Sequence, residues 1–161
     1  MAERQTDLEL LRRAIGVARR SRDAGDHPFG SILAGPDGAV LREQANGYRT
    51  EGGDRTAHSE RLLSSWAART HDSSFLSRCT LYTSAEPCAM CAGAIYWAGI
   101  GRLVYGLSEH RLRAVTGNHP ENPTLDLPCR EVFKSGQRPT EVLGPLLEDE
   151  AEALHEGVWN K

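Results

Sequence analysis

The stretch Thr83-Ser84-Ala85-Glu86-Pro87-Cys88-Ala89-Met90-Cys91 decides how the chain folds, and Thr56-Ala57-His58-Ser59-Glu60 lies upstream of it. Proline suits the first turn of a helix, where its missing N–H would be unpaired anyway. A helix that begins near Pro87 therefore places the thiols of Cys88 and Cys91 on one face. The partial positive charge at a helix N-terminus favours thiolate over thiol. The spacing predicts a pair of metal-ligating thiolates at a helix start.

The upstream stretch predicts a third ligand. Leu62, Leu63 and Trp66 follow His58 at helical spacing, so His58 opens a second helix. Two thiolates and one imidazole suit Zn²⁺. Three protein ligands leave one tetrahedral position open, as catalytic zinc sites do. The two helix starts are thus expected to converge on a catalytic metal.

Glu60 stands two residues beyond His58. From there its carboxylate can move protons near the metal without being a ligand. Water bound at an open zinc position loses its proton at a pKa of roughly 7 in favourable sites. The alternative is a structural zinc site, which needs a fourth ligand. Cys79 and Cys129 are the only other thiols, and neither belongs to a ligand-like motif.

The bulk composition is that of an ordinary globular protein. The chain has 161 residues, of which 39% are hydrophobic and 25% charged, and it is expected to form one domain over residues 1–161. It contains no apolar run of the ~20 residues that span a membrane, and its first residues lack an apolar signal region. With four cysteines, two of them in the metal motif, the expected location is the reducing cytoplasm.

The charge argues against nucleic acid as a partner. The net charge is −3 and the isoelectric point about 6.1, whereas nucleic-acid-binding domains are usually basic. One local basic patch is an alternative, formed by the arginines of the first predicted helix; a solvated helix face is the other interpretation. These arginines are Arg12, Arg13, Arg19, Arg20 and Arg22. The balance favours a small neutral substrate.

Strands alternate with helices along the chain, which predicts an α/β fold. The predicted strands cover Gly30–Ala34, Val40–Ala45, Cys79–Thr83, Arg102–Gly106 and Glu141–Gly144. The predicted helices cover Asp7–Arg22, His58–Arg69, Pro87–Trp97, Ser108–Val115 and Leu147–His155. The first two strands form a hairpin around Pro36-Asp37-Gly38, and the helix between strands four and five makes that pair parallel. His71–Ser77 is expected to be a loop, and Gly117–Gln137 a long irregular segment.

The two metal motifs, in this order and within this frame, resemble the cytidine and deoxycytidylate deaminase superfamily. Pro28-Phe29-Gly30, Ser84–Cys88 and Gly93–Ala98 are most similar to its bacterial guanine deaminase branch, which in turn resembles the tRNA adenosine deaminases and plant guanosine deaminase. The resemblance implies a three-layer α/β/α sandwich with a five-stranded mixed sheet.

The resemblance also implies roles for the motif residues. His58, Cys88 and Cys91 would bind one Zn²⁺ per subunit, and Glu60 would be the proton shuttle. Ser59 replaces an alanine found in many relatives, a change expected to leave ligand and shuttle untouched.

Further positions would then contact the substrate. By the resemblance Phe29 stacks on the base, Asn46 hydrogen-bonds it, and the backbone at Ala85 and Glu86 meets its polar edge. Trp97 would line a pocket, in its own or a neighbouring subunit. Simpler alternatives stay open. Phe29 could belong to the core, Asn46 to an Asn-Gly turn, and Trp97 to helix packing or an interface.

Two regions leave the substrate open. Guanine deaminases read the purine edge with an acidic residue in a Gly-Phe-Asp-Asp-like stretch, and this chain lacks that element; Asn118, His119 and Glu121 are candidate substitutes. This difference puts guanine itself in doubt, though not deamination. Near the C-terminus, Trp159 either caps a pocket or belongs to a frayed end, and the frayed end is the expectation.

The resulting hypothesis is an enzyme that hydrolyses the amine of a small heterocycle, most simply a purine base or nucleoside of the guanine or guanosine type. The alternatives are a tRNA adenosine deaminase, a cytosine, cytidine or aminotriazine deaminase, and a non-enzymatic zinc fold serving as an assembly module. The apolar run Ala92–Ala98 resembles the dimer face of the superfamily and predicts a homodimer. Neither nucleic acid nor a membrane is an expected partner.

Overall fold

The computed structural model describes residues 2–160. Its strands are β1 (Gly30–Ala34), β2 (Val40–Ala45), β3 (Thr80–Ala85), β4 (Arg102–Leu107) and β5 (Glu141–Leu143). They form one five-stranded sheet in the order β2-β1-β3-β4-β5. β1 is antiparallel to both β2 and β3, whereas β3–β4 and β4–β5 are parallel pairs. The predicted mixed sheet is confirmed, including the parallel pairing of the last two strands.

The helices cover both faces of this sheet. They are α1 (Ala2–Asp23), α2 (Ser59–Thr70), α3 (Ser73–Leu76), α4 (Ala89–Ala98), α5 (Glu109–Thr116), α6 (Cys129–Lys134) and α7 (Glu148–Ala153). Among residues 2–160, none of them combines the length and apolar composition that a membrane crossing requires.

Alternation along the strands produces two cores. Ile32 of β1 is fully buried in a cluster with Leu11 and Ile15 of α1. The next residue, Leu33, points to the opposite face and is fully buried in a cluster with Leu63 of α2 and Ile95 of α4. Because successive side chains of a strand face opposite sides, one sheet buries apolar residues against helices on both faces. The three-layer α/β/α prediction is confirmed.

Several predicted boundaries were wrong. α1 begins at Ala2 rather than Asp7. Asp7 lies inside the helix, where it is buried and accepts hydrogen bonds from Tyr82 and Arg102. The segment predicted to be the loop His71–Ser77 contains α3, which Asp72 caps by accepting from the backbone N–H of Phe75. Aspartate is a common N-cap residue, so Asp72 was a signal for a helix start that the loop prediction did not use.

The segment Gly117–Gln137 is not irregular throughout, because it contains α6. The start of α6 is held by a distant group: the backbone N–H of Cys129 donates to Glu86 Oε2 at 2.8 Å. Such a contact between residues far apart in sequence gives no local periodicity, so the short helix was missed.

Candidate active site

Two helix starts meet at the site, as the sequence predicts. His58 is the N-cap residue of α2 and Cys88 that of α4, and neither side chain forms a capping hydrogen bond. Their carbonyls accept the first helical N–H bonds instead, from Leu62 and Ala92. The ring of His58 and the thiol of Cys88 are therefore free to act as ligands. Pro87 precedes the cap rather than lying in the first turn, which corrects the predicted helix start by two residues.

The ligand atoms have the spacing of a tetrahedral zinc site. His58 Nδ1 lies 3.6 Å from Cys88 Sγ and 3.5 Å from Cys91 Sγ. The three ligand atoms all lie within 4.8 Å of one another. Zn–S bonds of ~2.3 Å and a Zn–N bond of ~2.1 Å at tetrahedral angles would separate sulfur from nitrogen by about 3.6 Å. The donor set and its spacing fit Zn²⁺.

The cluster holds three ligands within the described part of the chain, so the fourth position stays open. Cys79 and Cys129, the two thiols considered as a fourth ligand, are fully buried elsewhere, in the core on the α2 and α4 side of the sheet. An open position is the arrangement of catalytic rather than structural zinc sites.

Electrostatics favour a thiolate in the cluster. The hydrogen bond from Cys91 lowers the pKa of Cys88 well below that of a free thiol, and the interaction with His58 acts in the same direction. Burial disfavours a charged His58, but its hydrogen bond with Cys88 and the charge of Glu60 outweigh burial and raise the pKa of His58. The hydrogen bond with Cys88, followed by burial, raises the pKa of Cys91, so metal binding would release the protons held on Cys91 and His58.

Glu60 is held with one oxygen engaged. The residue is only 5% exposed. Hydroxyl groups donate to its Oε1 from Ser31 at 3.2 Å, Ser59 at 2.6 Å and Thr83 at 3.0 Å. This arrangement holds the carboxylate in place beside the ligand cluster. Ser31 and Thr83 were missed by the sequence analysis, because they come from β1 and β3. The expectation that Ser59 leaves the shuttle untouched was wrong.

A cavity of about 550 Å³, counted with its opening to solvent, lies over these groups. Its wall includes Phe29, Asn46, Ala85 and Glu86. These are the positions, apart from Trp97, at which the resemblance implied a contact with the substrate. Phe29 also packs against the core on the α1 side, so both interpretations of this ring describe its position.

Asn46 is oriented by a neighbour that the sequence analysis did not single out. Its Nδ2 donates to Asp26 Oδ1 at 3.0 Å. Asp26 is itself held, because it accepts from the backbone N–H groups of His27 and Arg49. The amide of Asn46 is thus fixed by more than a local turn.

The backbone and the side chain of Glu86 both form hydrogen bonds within the fold. Its backbone N–H donates to the carbonyl of Leu107 at 2.7 Å. Its carboxylate accepts from the backbone N–H of Glu109 at 2.9 Å and of Cys129 at 2.8 Å. Glu86 therefore lines the cavity while its side chain ties α5 and α6 to the end of β3.

Trp97 lies apart from the cavity. Its side chain is 83% exposed on α4, whereas the cavity is walled by other elements. Trp97 therefore does not line the cavity of its own chain. The interface interpretation of Trp97 stays a prediction.

The far wall of the cavity is aromatic, and the sequence analysis missed most of it. His27 stacks on Tyr48 with ring centroids 5.1 Å apart, and both line the cavity. Trp159 packs on His27 at 5.3 Å and on Phe29 at 6.2 Å. Trp159 is only 6% exposed, and its indole N–H donates to His155 Nδ1 at 2.9 Å. The expectation that Trp159 belongs to a frayed end was wrong, because its ring packs on the aromatic residues of the cavity wall.

Three further carboxyl groups line the cavity, those of Asp54, Glu109 and Glu121. Glu121 does so beside Asn122, and its Oε2 lies 3.7 Å from His27 Nε2. Of the three candidates for the missing acidic reader, Glu121 is therefore the one that the fold brings to the cavity, while the ring of His119 packs on Trp159.

Glu109 is the second of these carboxyl groups, and it is buried. Burial, followed by the negative charges of Cys88, Glu60 and Glu86, raises the pKa of Glu109 to about 9. A metal ion bound to Cys88 would add positive charge and act against this increase.

Comparison with known proteins places these features in a family. The family model for the cytidine and deoxycytidylate deaminase zinc-binding region matches residues 4–107. A probable cytosine deaminase of Schizosaccharomyces pombe is 42% identical over 156 residues, which cover 97% of this chain and 94% of the relative. The guanine deaminase of Bacillus subtilis is 40% identical over 109 residues, covering 67% of this chain and 68% of the relative.

Solved structures agree with the sequence relatives. The guanine deaminase of Nitrosomonas europaea superposes with a TM-score of 0.73 at 28% identity, covering 91% of this chain and 80% of that protein. Several tRNA-specific adenosine deaminases also match the chain, over 68% to 73% of its length. The relatives therefore share hydrolytic deamination of a base, and differ in which base they act on.

Proposed function

The chain belongs to the cytidine and deoxycytidylate deaminase family, and from this premise we propose that it hydrolyses the exocyclic amine of a free nucleobase and releases ammonia. We propose a guanine-type purine as the first substrate. The observation that carries the proposal is the meeting of Glu60 with a three-ligand metal cluster at the floor of one cavity.

The proposed chemistry uses few groups. Zn²⁺ held by His58, Cys88 and Cys91 supplies an activated water for hydrolysis. Glu60 takes a proton from the attacking water and delivers it to the ring nitrogen. It then takes the proton of the hydroxyl group newly added to the ring carbon and delivers it to the amine, which leaves as ammonia while the carbon becomes a carbonyl. The hydroxyls on its Oε1 keep the carboxylate aimed at the reacting carbon while these protons move.

The walls of the cavity support a flat base. The ring of Phe29 lines one side, the indole of Trp159 packs on it, and His27 and Tyr48 continue the aromatic wall. Aromatic rings bind flat heterocycles by stacking. Trp159 packs on both Phe29 and His27 and so supports this wall from the C-terminal tail.

Polar groups on the wall support a purine. Asn46, held by Asp26, provides a fixed amide. Glu121 provides the acid that the guanine deaminase resemblance requires. A buried polar site rejects substrates that leave its groups unpaired.

Cytosine is the second candidate, and one observation favours it. The relative named a probable cytosine deaminase matches 97% of the chain. The guanine deaminase of Bacillus subtilis matches only 67% of the chain.

A tRNA substrate is not favoured, because the arginines of α1 are largely neutralised. Arg12 pairs with Glu150, and both Arg13 and Arg20 pair with Glu43. Arginines that already face carboxylates are poorly placed to bind phosphates, which supports the interpretation of α1 as a solvated face.

Ammonia release from zinc-loaded protein tests the proposal. The panel is guanine, guanosine, cytosine, cytidine, adenine and an aminotriazine, with an adenosine-containing anticodon stem-loop as the tRNA probe. We expect turnover of guanine, loss of that turnover by about a thousandfold or more in Glu60→Ala, and retained turnover in Glu131→Ala, a matched change at an exposed glutamate of α6. Turnover of cytosine alone would move the assignment to the second candidate. Near-normal turnover in Glu60→Ala would contradict the mechanism.

We also propose that the protein is a homodimer that buries Trp97. An indole this exposed on an apolar helix is typical of a protein interface. We expect the mass of a dimer by light scattering, and a monomer for Trp97→Asp. A wild-type monomer at micromolar concentration would contradict this proposal.

A further inference from the structure

Glu109 is a buried carboxyl group with no role in the mechanism above. It is the first residue of α5 and is only 4% exposed. It lines the same cavity as Glu60 and Cys88. Among residues 2–160, its Oε2 is buried with no hydrogen-bond partner.

The backbone, rather than the side chain, holds Glu109 in place. Its N–H donates to Glu86 Oε1 at 2.9 Å. The helix it begins is capped by Ser108, whose hydroxyl accepts from the backbone N–H of Arg111 at 3.2 Å. The fold therefore does not depend on the carboxyl group of Glu109.

Glu86 provides a contrast at the same place in the fold. It is similarly buried, but each of its carboxylate oxygens accepts a backbone N–H, from Glu109 and from Cys129. Glu86 is thus a structural carboxylate. Glu109 is adjacent to it and directs an unsatisfied carboxyl at the cavity.

An unsatisfied buried oxygen is unfavourable for the folded protein unless a bound group completes it. A carboxyl group accepts hydrogen bonds in either of its protonation states. When the carboxyl group is charged, its missing partner is an N–H or O–H donor that enters the cavity.

We propose that Glu109 contacts the substrate by accepting a hydrogen bond from the exocyclic amine that is removed. This inference rests on the proposed deamination. Glu109 shares the cavity with Cys88 and Glu60, which mark the reacting end of the substrate. In its charged form, which a metal ion bound to the neighbouring cluster would favour, this carboxylate accepts from an amine on a ring carbon and has no proton to donate to a ring oxygen. Glu109 thereby selects amino-heterocycles over their oxo products.

Stability measurements give the first test, and they need no substrate. The Tm of each variant, Glu109→Gln and Glu86→Gln, is measured by thermal unfolding of the zinc-loaded protein. We expect an unchanged or raised Tm for Glu109→Gln, because no hydrogen bond of the fold is lost. We expect a Tm lowered by several degrees for Glu86→Gln, because an amide cannot accept two N–H groups as the carboxylate does. A Glu109→Gln protein as destabilised as Glu86→Gln would overturn the inference and make Glu109 structural.

Binding measurements give the second test. Calorimetry is done with zinc-loaded protein in a Glu60→Gln background, which prevents turnover. The probes are guanine and cytosine, each compared with its deaminated product, xanthine or uracil. For the amino base that binds, we expect Glu109→Leu to weaken affinity by about tenfold or more, and to weaken product affinity by no more than about threefold. Glu109→Gln should recover part of the loss, because its amide oxygen still accepts.

The outcomes separate this inference from the proposed function. Equal losses for amino base and product, no loss, or no binding of either amino base would overturn the role of Glu109. If the wild type hydrolyses no member of the panel, yet binding of an amino base depends on Glu109, the proposed function fails and the inference stands. If the wild type deaminates a base and binding of that base ignores Glu109, the inference fails and the proposed function stands.

Discussion

At the scale of the residue, the geometry of Glu60 depends on three small hydroxyl side chains. Ser31, Ser59 and Thr83 all have hydroxyls within hydrogen-bond distance of the same carboxylate oxygen. The hydroxyls of Ser31 and Ser59 also lie 2.7 Å apart, so one of the two can donate to the other in place of Glu60. A carboxylate that accepts several hydrogen bonds on one oxygen has little freedom to rotate. Glu60, which lines the cavity, is therefore held in one orientation.

Removing one of these donors should have a small, graded effect. We expect Ser59→Ala to lower kcat by about threefold, and Ser59→Ala combined with Thr83→Val to lower it by about thirtyfold, because the carboxylate loses first one and then two of its three positioning bonds. KM should change little, since none of these hydroxyls is expected to contact the base. The measurement is steady-state kinetics at constant zinc occupancy, which metal analysis must verify. A Ser59→Ala enzyme with unchanged kcat would show that Ser31 and Thr83 alone position Glu60.

At the scale of the element, α1 lies directly against β1 at a glycine. A Cβ on Gly30 would lie 2.4 Å from the backbone N of Ala18 and 2.8 Å from the carbonyl carbon of Val17. Backbone atoms cannot give way as a flexible side chain does. The close approach of this helix and strand therefore requires glycine at position 30, next to Phe29 on the cavity wall.

Gly30→Ala should accordingly destabilise the fold. We expect a loss of about 2 to 3 kcal/mol in the free energy of unfolding, measured by urea denaturation, since the helix must move away from the strand. Gly16→Ala in α1 is the matched control, because a Cβ there would meet only the end of the Arg20 side chain at 3.9 Å. This control should be neutral or stabilised by up to about 1 kcal/mol. Equal effects of the two substitutions would show that α1 adjusts to the added methyl group.

At the scale of the whole molecule, the metal cluster joins two helices that are distant in sequence. His58 caps α2, while Cys88 and Cys91 belong to the start of α4. A metal that binds only the folded cluster stabilises the fold by about 2.7 kcal/mol at a free concentration a hundred times its Kd. The site thus contributes to stability as well as to chemistry.

Removing zinc should therefore lower the Tm. We expect a chelator to lower it by about 5 to 10 °C, on the scale of ~2 to 4 °C per kcal/mol for a domain of this size. The measurement is calorimetry with and without chelator. Cys88→Ser protein is the control, and its Tm should respond much less. A wild-type Tm that ignores the chelator would mean that zinc does not hold the two helices together.

The closure of the tail makes the stability depend on pH. His155 is buried between Phe29 and Trp159, and burial lowers its pKa to about 4, from an ordinary value of 6.5. Between these two values the unfolded chain binds a proton that the folded protein excludes. The contribution of neutral His155 is thus fully present above pH 6.5, declines as the pH falls, and is lost by about pH 4.

We expect this single group to account for about 3 kcal/mol of stability across that window. The measurement is the free energy of unfolding of wild type and of His155→Gln at a series of pH values, at equal zinc occupancy. The difference between the two proteins should shrink by about 3 kcal/mol from pH 7 to pH 4, because the glutamine does not titrate. A difference that stays constant with pH would mean that His155 is protonated without opening the tail.

What the sequence determined by itself is local. Residue type and spacing predict the metal site and its acidic neighbour, formed by His58, Glu60, Cys88 and Cys91. Spacing along a helix determines which side chains share a face. The alternation of strands and helices was predictable for the same reason, because the side-chain period of a helix or a strand is a property of a few consecutive residues.

Only the tertiary structure decided which groups meet across the chain. The hydroxyls on Glu60, the closure of Trp159 over Phe29, and the choice of Glu121 over its neighbours join residues far apart in sequence. The unsatisfied carboxyl of Glu109 emerges in the same way, because satisfaction of a polar group depends on every element packed around it. No periodicity encodes such contacts, since they arise when the sheet and both helix layers pack together.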